Sequence, residues 1–274
     1  MVGNANARPF PGNARLVAFV RSMRKAKPYP ASPPRPDGPT LPDVTHLGGR
    51  AALYLLALVR AHHSRKRVAP TPKGSDAVLS ALSTLGLIQV DSGMEGPVVS
   101  GHTPAWSYTW SALPFEELEK CLTDYLLQRG REPEYAVTWL RVWQELLPQE
   151  VVAYLEHQLR LHHFSDVYLG ELARLQMRHD VNYSLGHWRY ACWASVRSMA
   201  SVSLQYPGNA EILKFTLGSE LPRRLKMAQG SKEGKLCFSA SDTLPDSALT
   251  TVFATIATDL GDRFWMVPPS LELI

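Results

Sequence analysis

The chain has 274 residues, of which 45% are hydrophobic and 20% charged, and its formal net charge is +4. This length allows two domains or one large domain, and the composition is that of an ordinary globular protein. A membrane span is excluded, because the most apolar run, residues 51–59, is far shorter than the about 20 residues that cross a bilayer. The N-terminus lacks a compact apolar segment with a cleavage site, so we expect a cytoplasmic protein with no membrane partner.

The charge is unevenly distributed along the chain. Residues 1–75 contain 13 Lys and Arg against only Asp37 and Asp43, whereas the remainder contains 16 Lys and Arg against 23 Asp and Glu. Clustered cations release counterions from phosphates, so a basic front end on an acidic body indicates a polyanionic partner. The alternative is a solvated basic tail.

Residues 1–45 are predicted to be a basic arm and a linker. Apolar residues at helical spacing predict a short helix over residues 13–25, with cations on its other faces. Residues 28–42 are rich in proline and indicate an extended linker. The candidate nucleic-acid contacts in the arm are Arg15, Arg21, Arg24 and Lys25.

The next stretch, residues 47–111, has the clearest pattern in the chain. It predicts a mostly buried helix over 47–62, a basic loop over 65–74 and a short helix over 75–85 that is capped by Ser75 and ended by Gly86. Alternating residues then predict strands over 86–91 and 106–110 around a Gly-rich tip.

This order resembles a winged helix-turn-helix domain, and the resemblance implies a nucleic-acid-binding fold over residues 46–112. The sequence departs from the family pattern at Pro70 and Pro72, which leave out an ordinary second helix. The outward residues of the short helix also include no Arg, Asn or Gln, the residues that read base edges. We therefore expect contacts to phosphates from Arg65, Lys66, Arg67 and Lys73, with Ser75, Ser80 and Ser83 nearest the bases.

Residues 113–205 are predicted to form a helical bundle, because about five helices are joined by short connections. Their ranges are 114–129, 133–147, 149–161, 165–178 and 184–203. Residues 206–274 give weaker signals for a small α+β appendage, with strands over 236–239 and 264–267 and a helix over 247–259. The predicted fold class is thus mainly α with a small β-wing: a winged-helix-like domain, a helical bundle and a small α+β C-terminal part.

A second basic patch lies in this last part and includes Arg223 and Arg224, followed by Lys226, Lys232 and Lys235. It belongs either to one nucleic-acid surface with the front end or to a solvated hairpin. The three cysteines, Cys121, Cys192 and Cys237, fit buried thiols better than a disulfide framework or a zinc cluster. His157 and His162 do not share a helix face, so we expect no metal and no cofactor.

Arg174 and His179 have the Arg, four residues, His spacing that resembles the HEPN ribonucleases. The resemblance implies RNA cleavage at a dimer interface, where His acts as general acid or base and Arg stabilises developing charge. The alternative is a charged helix end.

These observations favour a non-enzymatic protein without catalytic residues that binds nucleic acid, most simply duplex DNA, as a regulator or DNA-engaging subunit. One alternative is a protein–protein interaction subunit of a larger bacterial-type complex, and a second is a HEPN-like ribonuclease. In either binding role we expect a homo-oligomer or a subunit of a protein complex.

Overall fold

The computed structural model describes residues 44–90, 106–109, 115–176, 183–231, 236–239 and 244–274. All of them belong to one compact unit, residues 34–274. This unit is mainly helical with a small two-stranded sheet, so these two features of the predicted fold class are confirmed. The predicted arm helix and the predicted Gly-rich tip at residues 92–104 lie outside the described residues.

Helix α1, Gly49–Ser64, lies at the centre of the core. Its apolar residues occur on nearly every face, and Ala52, Leu53, Leu55 and Leu56 are all fully buried. It is preceded by a 3-10 turn, Val44–His46. The prediction of a helix buried on most sides is confirmed, because such a sequence must be covered by several neighbours.

Helix α2, Pro72–Thr84, follows the basic loop and buries Val78, Leu79 and Leu82. Gly86 ends it with a φ of +69°, the left-handed conformation that glycine adopts without steric cost. Strand β1, Ile88–Val90, then pairs antiparallel with strand β2, Trp106–Tyr108, with Ile88 opposite Tyr108. Both strands are shorter than predicted. The order of helix, loop, helix and hairpin is as predicted, and the winged-helix assignment itself stays a prediction.

Helix α3, Phe115–Arg129, agrees with the predicted range 114–129. A 3-10 turn, Pro133–Tyr135, leads into helix α4, Ala136–Leu161, which continues through Pro148. The predicted break at this proline is therefore wrong. An interior proline removes one hydrogen bond and costs about 3 kcal/mol, but α4 buries Trp143, Leu147 and Val151 around it, so packing outweighs the local cost.

A 3-10 turn, Asp166–Tyr168, precedes helix α5, Leu169–Gln176. The turn takes the place of the first part of the helix predicted over 165–178. Helix α6, Leu185–Gln205, agrees closely with the predicted range 184–203, and Ser184 is its N-cap. A turn around Gly208, whose φ is +74°, connects it to helix α7, Ala210–Gln229. Helices α6 and α7 pack along each other as a hairpin. Helix α7 was not predicted from the sequence.

The C-terminal part contains helix α8, Ala248–Val252, a π-helical turn, Phe253–Ala257, helix α9, Arg263–Met266, and a 3-10 turn, Leu271–Leu273. The helix predicted over 247–259 is thus largely present. The strand predicted over 264–267 is wrong, because Phe264 stacks on Trp143 within the core and its backbone forms a helical turn.

The strand predicted over 236–239 is also wrong. This segment crosses the start of α6, where the amide of Phe238 donates to the carbonyl oxygen of Gly186 at 3.1 Å. Its backbone partner is therefore a helix end, and residues 236–239 pair with no strand among the described residues.

The core is continuous from α1 to α9. Leu53 of α1, Trp143 of α4, Leu217 of α7 and Phe264 of α9 belong to one cluster of buried side chains. The predicted division at residues 46–112, 113–205 and 206–274 stays a prediction. Among the helices in the described ranges, none has the length and apolar character that a bilayer crossing requires.

Candidate nucleic-acid interface

The predicted basic loop connects α1 to α2. Arg65 ends α1 in the left-handed conformation, with a φ of 54°, and the side chains of Arg65, Lys66, Arg67 and Lys73 are all exposed. Within the part of the chain that the structure describes, none of the four has a carboxylate oxygen within 4.0 Å. Among the described residues their positive charges thus form no direct ion pair, although Asp246 is close enough to interact through charge with Lys66 and Arg67.

The backbone of this loop is held in place by the C-terminal part of the chain. The carbonyl oxygens of Arg67 and Val68 accept hydrogen bonds from the amides of Ala248 and Leu249, each at 2.9 Å. Within the loop itself, Val68 and Ala69 are buried. The cations are thus carried by a fixed backbone, which reduces the conformational entropy lost when they bind a partner.

Arg67 differs from the other three cations. Its guanidinium donates to the carbonyl oxygens of Pro70 at 2.8 Å and Pro245 at 3.3 Å. These bonds connect the Arg67 side chain to the loop itself and to the C-terminal segment at Pro245. Arg67 therefore helps to hold the loop, whereas the exposed side chains of Arg65, Lys66 and Lys73 donate to no other described residue.

The N-cap of α2 lies four residues earlier along the chain than the cap predicted at Ser75. Thr71 is the N-cap, since its hydroxyl accepts from the amide of Gly74 at 3.1 Å, and Pro72 occupies the first helical turn. Pro72 favours this position because proline lacks the amide hydrogen that would otherwise be unpaired. The N-terminal end of α2, which has a positive partial charge, consequently adjoins the cations.

Ser75 was predicted to cap α2 and to lie near the bases. Its hydroxyl instead accepts from the amide of Ala69 at 3.3 Å and donates to the carbonyl oxygen of Thr71 at 3.2 Å. The predicted cap is wrong because Thr71 and Pro72 together begin the helix one turn earlier. Ser75 has an internal role in the loop, and its predicted approach to a base stays a prediction.

The outer face of α2 contains Ser80 and Ser83, which are both exposed as expected. They border an open depression of about 340 Å³ that is lined by Asp76, Leu79, Ser80, Ser83, Thr84 and Val90. The only charged side chain in this lining is that of Asp76. The face lacks the bidentate donors that read guanine or adenine, and its one carboxylate repels phosphates.

The second predicted basic patch, at Arg223 and Arg224, differs from the basic loop because its cations are paired with a carboxylate. On α7, Arg223 donates to Glu220 at 3.0 Å and Arg224 donates to the same carboxylate at 2.9 Å. The hydrogen bond from Arg223 is the main cause that holds the pKa of Glu220 below its usual value. Both cations thus share a local anion, and their attraction for a distant phosphate is weaker than that of the basic loop.

The remaining predicted residues are only partly described. Arg15, Arg21, Arg24 and Lys25 lie outside the described residues, as does His179. Arg174 is exposed and forms an ion pair with Glu171 at 3.3 Å. The pairing of Arg174 with His179 is therefore not tested, and RNA cleavage stays a prediction.

A buried polar cluster lies behind the basic loop, and sequence reasoning missed it. The guanidinium of Arg189 lies 3.4 Å from Glu150 and 3.7 Å from Asp246. It also lies over the ring of Trp265, 4.0 Å from its centre. The hydroxyl of Thr250 donates to Glu150 at 2.6 Å.

Two signals in the sequence point to this cluster. Arg189 occupies a stripe of α6 whose other members, Leu185, Cys192 and Val196, are buried, and Glu150 follows Trp143 and Leu146 on α4. A charged residue on an apolar stripe needs a partner, because an unpaired buried charge is very costly. The partner itself is distant in sequence, so the pairing is evident only in the fold.

Within the described ranges, no three His, Cys, Asp or Glu side chains converge as metal ligands. The cysteines are unpaired, and Cys192 is buried as expected, but Cys121 is exposed on α3. The expectation that all three are buried is therefore wrong, because position 121 falls on the solvent side of its helix.

No protein family model, no curated protein and no solved structure matches the chain.

Proposed function

We propose that this chain binds nucleic acid, most simply duplex DNA, by contacts to the phosphate backbone. The observation that carries the proposal is the basic loop: Arg65, Lys66 and Lys73 are exposed, have no carboxylate oxygen within 4.0 Å among the described residues, and are carried by a backbone that hydrogen bonds hold in place. Clustered cations of this kind bind polyphosphates through the release of condensed counterions.

The surroundings of the loop support a role in gripping phosphates rather than reading bases. The N-terminal end of α2 adds a positive partial charge beside the loop. The outer face of the same helix presents Ser80, Ser83 and the carboxylate of Asp76. We therefore propose modest sequence preference, with a winged-helix-like module that docks through its loop.

Salt dependence of binding is the direct test. The affinity for a labelled duplex is measured by fluorescence anisotropy over a range of salt concentrations. Three or four phosphate contacts predict a slope of log affinity against log salt of about −3 to −4. The variant Arg65→Gln, Lys66→Gln, Lys73→Gln should reduce the steepness by about 0.9 for each contact removed. Glutamine keeps a polar side chain at each position and removes its positive charge.

A charge-matched variant serves as the control. The change Arg223→Gln, Arg224→Gln, Lys226→Gln also removes three cations, of which two share Glu220. It should leave the slope closer to that of the wild-type chain. Absence of binding at low salt, or equal losses in the two triple variants, contradicts the proposal that the basic loop carries the interaction.

A second candidate is a protein–protein interaction subunit, which one observation favours. Leu204 and Phe215, beside the turn between α6 and α7, are 83% and 77% exposed, and Tyr206 within that turn is 50% exposed. Exposed apolar patches on monomers often mark interaction sites. Light scattering of the wild-type chain and of Leu204→Ser, Phe215→Ser tests this candidate, because self-association through this turn is lost in the double variant.

A further inference from the structure

The buried cluster and the basic loop are connected through one short segment, residues 245–250. Asp246 lies in this segment and faces Arg189 across 3.7 Å. Ser247 begins α8, since its hydroxyl accepts from the amide of Thr250 at 3.1 Å. The Thr250 hydroxyl in turn donates to Glu150. The segment is thus fixed to α4 and α6 by polar contacts that are largely removed from water.

The same segment holds the loop from the other side. Its residues Ala248 and Leu249 donate their amides to the loop carbonyls, and the carbonyl oxygen of Pro245 accepts from Arg67. These three contacts join residues that are about 180 positions apart in sequence. A shift of the segment would therefore move the backbone that carries Lys66.

Asp246 lies between the buried cluster around Arg189 and the basic loop. Its side chain is 24% exposed, whereas that of Arg189 is 1% exposed. Burial raises the pKa of Asp246, and the positive charges of Arg189, Lys66 and Arg67 oppose that rise. The carboxylate thus interacts with the buried guanidinium behind it and with the loop cations in front.

Arg189 is not saturated by its other neighbours. Its Nε atom is buried and donates no hydrogen bond among the described residues, and the Oδ1 atom of Asp246 accepts none. The contact between Arg189 and Asp246 therefore depends on charge at 3.7 Å and not on a short hydrogen bond. The hydrogen bond from Thr250 to Glu150 holds the same segment, and the charge of Asp246 adds an electrostatic contact with Arg189.

We propose that Asp246 is a positioning residue for the basic loop: by pairing with Arg189 it fixes residues 245–250, and these hold the loop in the geometry that presents its cations. The expected effect of Asp246 on DNA binding rests on the proposed function. The structural connection itself is measurable without DNA.

Hydrogen exchange of the full chain is the first measurement. In Asp246→Asn, which removes the charge and keeps the shape, the amides of Ala248 and Leu249 should exchange about tenfold faster, because a partly buried charge contact at 3.7 Å is lost. The amide of Leu217 in α7 reports global opening and should change less. Asp246→Glu, which restores the charge, should recover part of the protection.

Asp259→Asn is the matched control. Asp259 lies in the same part of the chain, is exposed and pairs with Arg131 at 3.2 Å, so the net charge changes equally. Protection of Ala248 and Leu249 should remain at the wild-type level in this variant. Unchanged protection in Asp246→Asn, or an equal acceleration of all slow amides including Leu217, overturns the proposal.

DNA affinity gives the second measurement. Removing the Asp246 charge beside the loop would by itself favour phosphate binding, so a several-fold weaker affinity of Asp246→Asn, with the salt slope of the wild type, is the result expected from a displaced loop. A slope altered together with the affinity counts against a positioning role. If the wild-type chain binds no DNA, the proposed function fails, and the exchange of Ala248 and Leu249 still decides the link between Asp246 and the loop.

Discussion

The Nη2 atom of Arg189 lies 3.4 Å from the Oε2 atom of Glu150, and their side chains are only 1% and 2% exposed. Burial raises the pKa of Glu150, and the hydrogen bond from Thr250 and the charge of Arg189 oppose this rise. For such a pair the cost of removing both charges from water is comparable to their attraction. The loss of one partner is therefore more damaging than the loss of both.

The first prediction concerns this asymmetry. Arg189→Met should lower the free energy of unfolding by about 3–5 kcal/mol, because it leaves a buried carboxylate without its cation. The double variant Arg189→Met, Glu150→Leu should be less destabilised than Arg189→Met alone. Urea unfolding monitored by circular dichroism gives both values. A double variant at least as unstable as the single one would mean that the pair itself is strongly stabilising.

The second prediction compares two helical glycines. A Cβ atom at Gly186 would lie 2.4 Å from the sulfur of Cys237 and 2.7 Å from the carbonyl oxygen of Phe238, whereas one at Gly170 would meet nothing within 4 Å. Gly186→Ala should therefore destabilise the protein by about 1–3 kcal/mol. Gly170→Ala should stabilise it by up to about 1 kcal/mol, since alanine favours the helix.

Thermal unfolding of both variants checks this prediction. Equal melting temperatures for the two alanine variants would show that residues 237–238 move away from α6 at little cost.

Helices whose packing follows a local pattern were predictable from the sequence. The apolar faces of α1 and α2 and the glycine at position 86 gave their approximate limits. The continuation of α4 through Pro148 was not predictable from propensity, because its cause is the burial of side chains on both flanks. Helix α7 was detectable in principle: Leu213, Leu217, Leu221 and Leu225 recur every four residues, although Gly218 and Pro222 interrupt the helical composition.

Some features of the candidate site were likewise predictable from the sequence, and others were not. Exposure of the loop cations followed from their position between two helices. The pairing of Arg223 and Arg224 with Glu220 was also predictable from the local sequence, because Glu220 precedes them by three and four residues on one helix face. Contacts between Arg67 and Pro245, and between Arg189 and Glu150, join distant parts of the chain. Local patterns contain no information about such pairs.

The third prediction tests the leucine stripe of α7. Leu217 is fully buried, whereas Phe215, two residues earlier, is 77% exposed. Leu217→Ala should lower the free energy of unfolding by about 2–5 kcal/mol through the lost contacts and the cavity left behind. Phe215→Ala should change it by no more than about 0.5 kcal/mol. Urea unfolding measures both, and comparable losses would indicate that Phe215 is covered by a partner in solution.

The fourth prediction concerns acid sensitivity at the start of α6. The Nδ1 atom of His187 accepts a hydrogen bond from the amide of Ser184 at 3.3 Å and contacts its hydroxyl at 3.0 Å. Protonation of Nδ1 removes this acceptor. In addition, burial lowers the pKa of His187 from its usual 6.5. The unfolded chain therefore binds a proton at this histidine more readily than the folded chain does.

The sign of the effect follows from this difference. As the pH falls below 6.5, the unfolded chain gains the proton first, so stability decreases until the pKa of the folded state is reached. His187→Gln keeps an acceptor for the amide of Ser184 and does not titrate. Urea unfolding at several pH values between 7 and 5 should thus show a smaller loss of stability in His187→Gln than in the wild-type chain. Parallel curves for the two proteins would assign the acid sensitivity to other groups, such as His157, whose pKa burial also lowers.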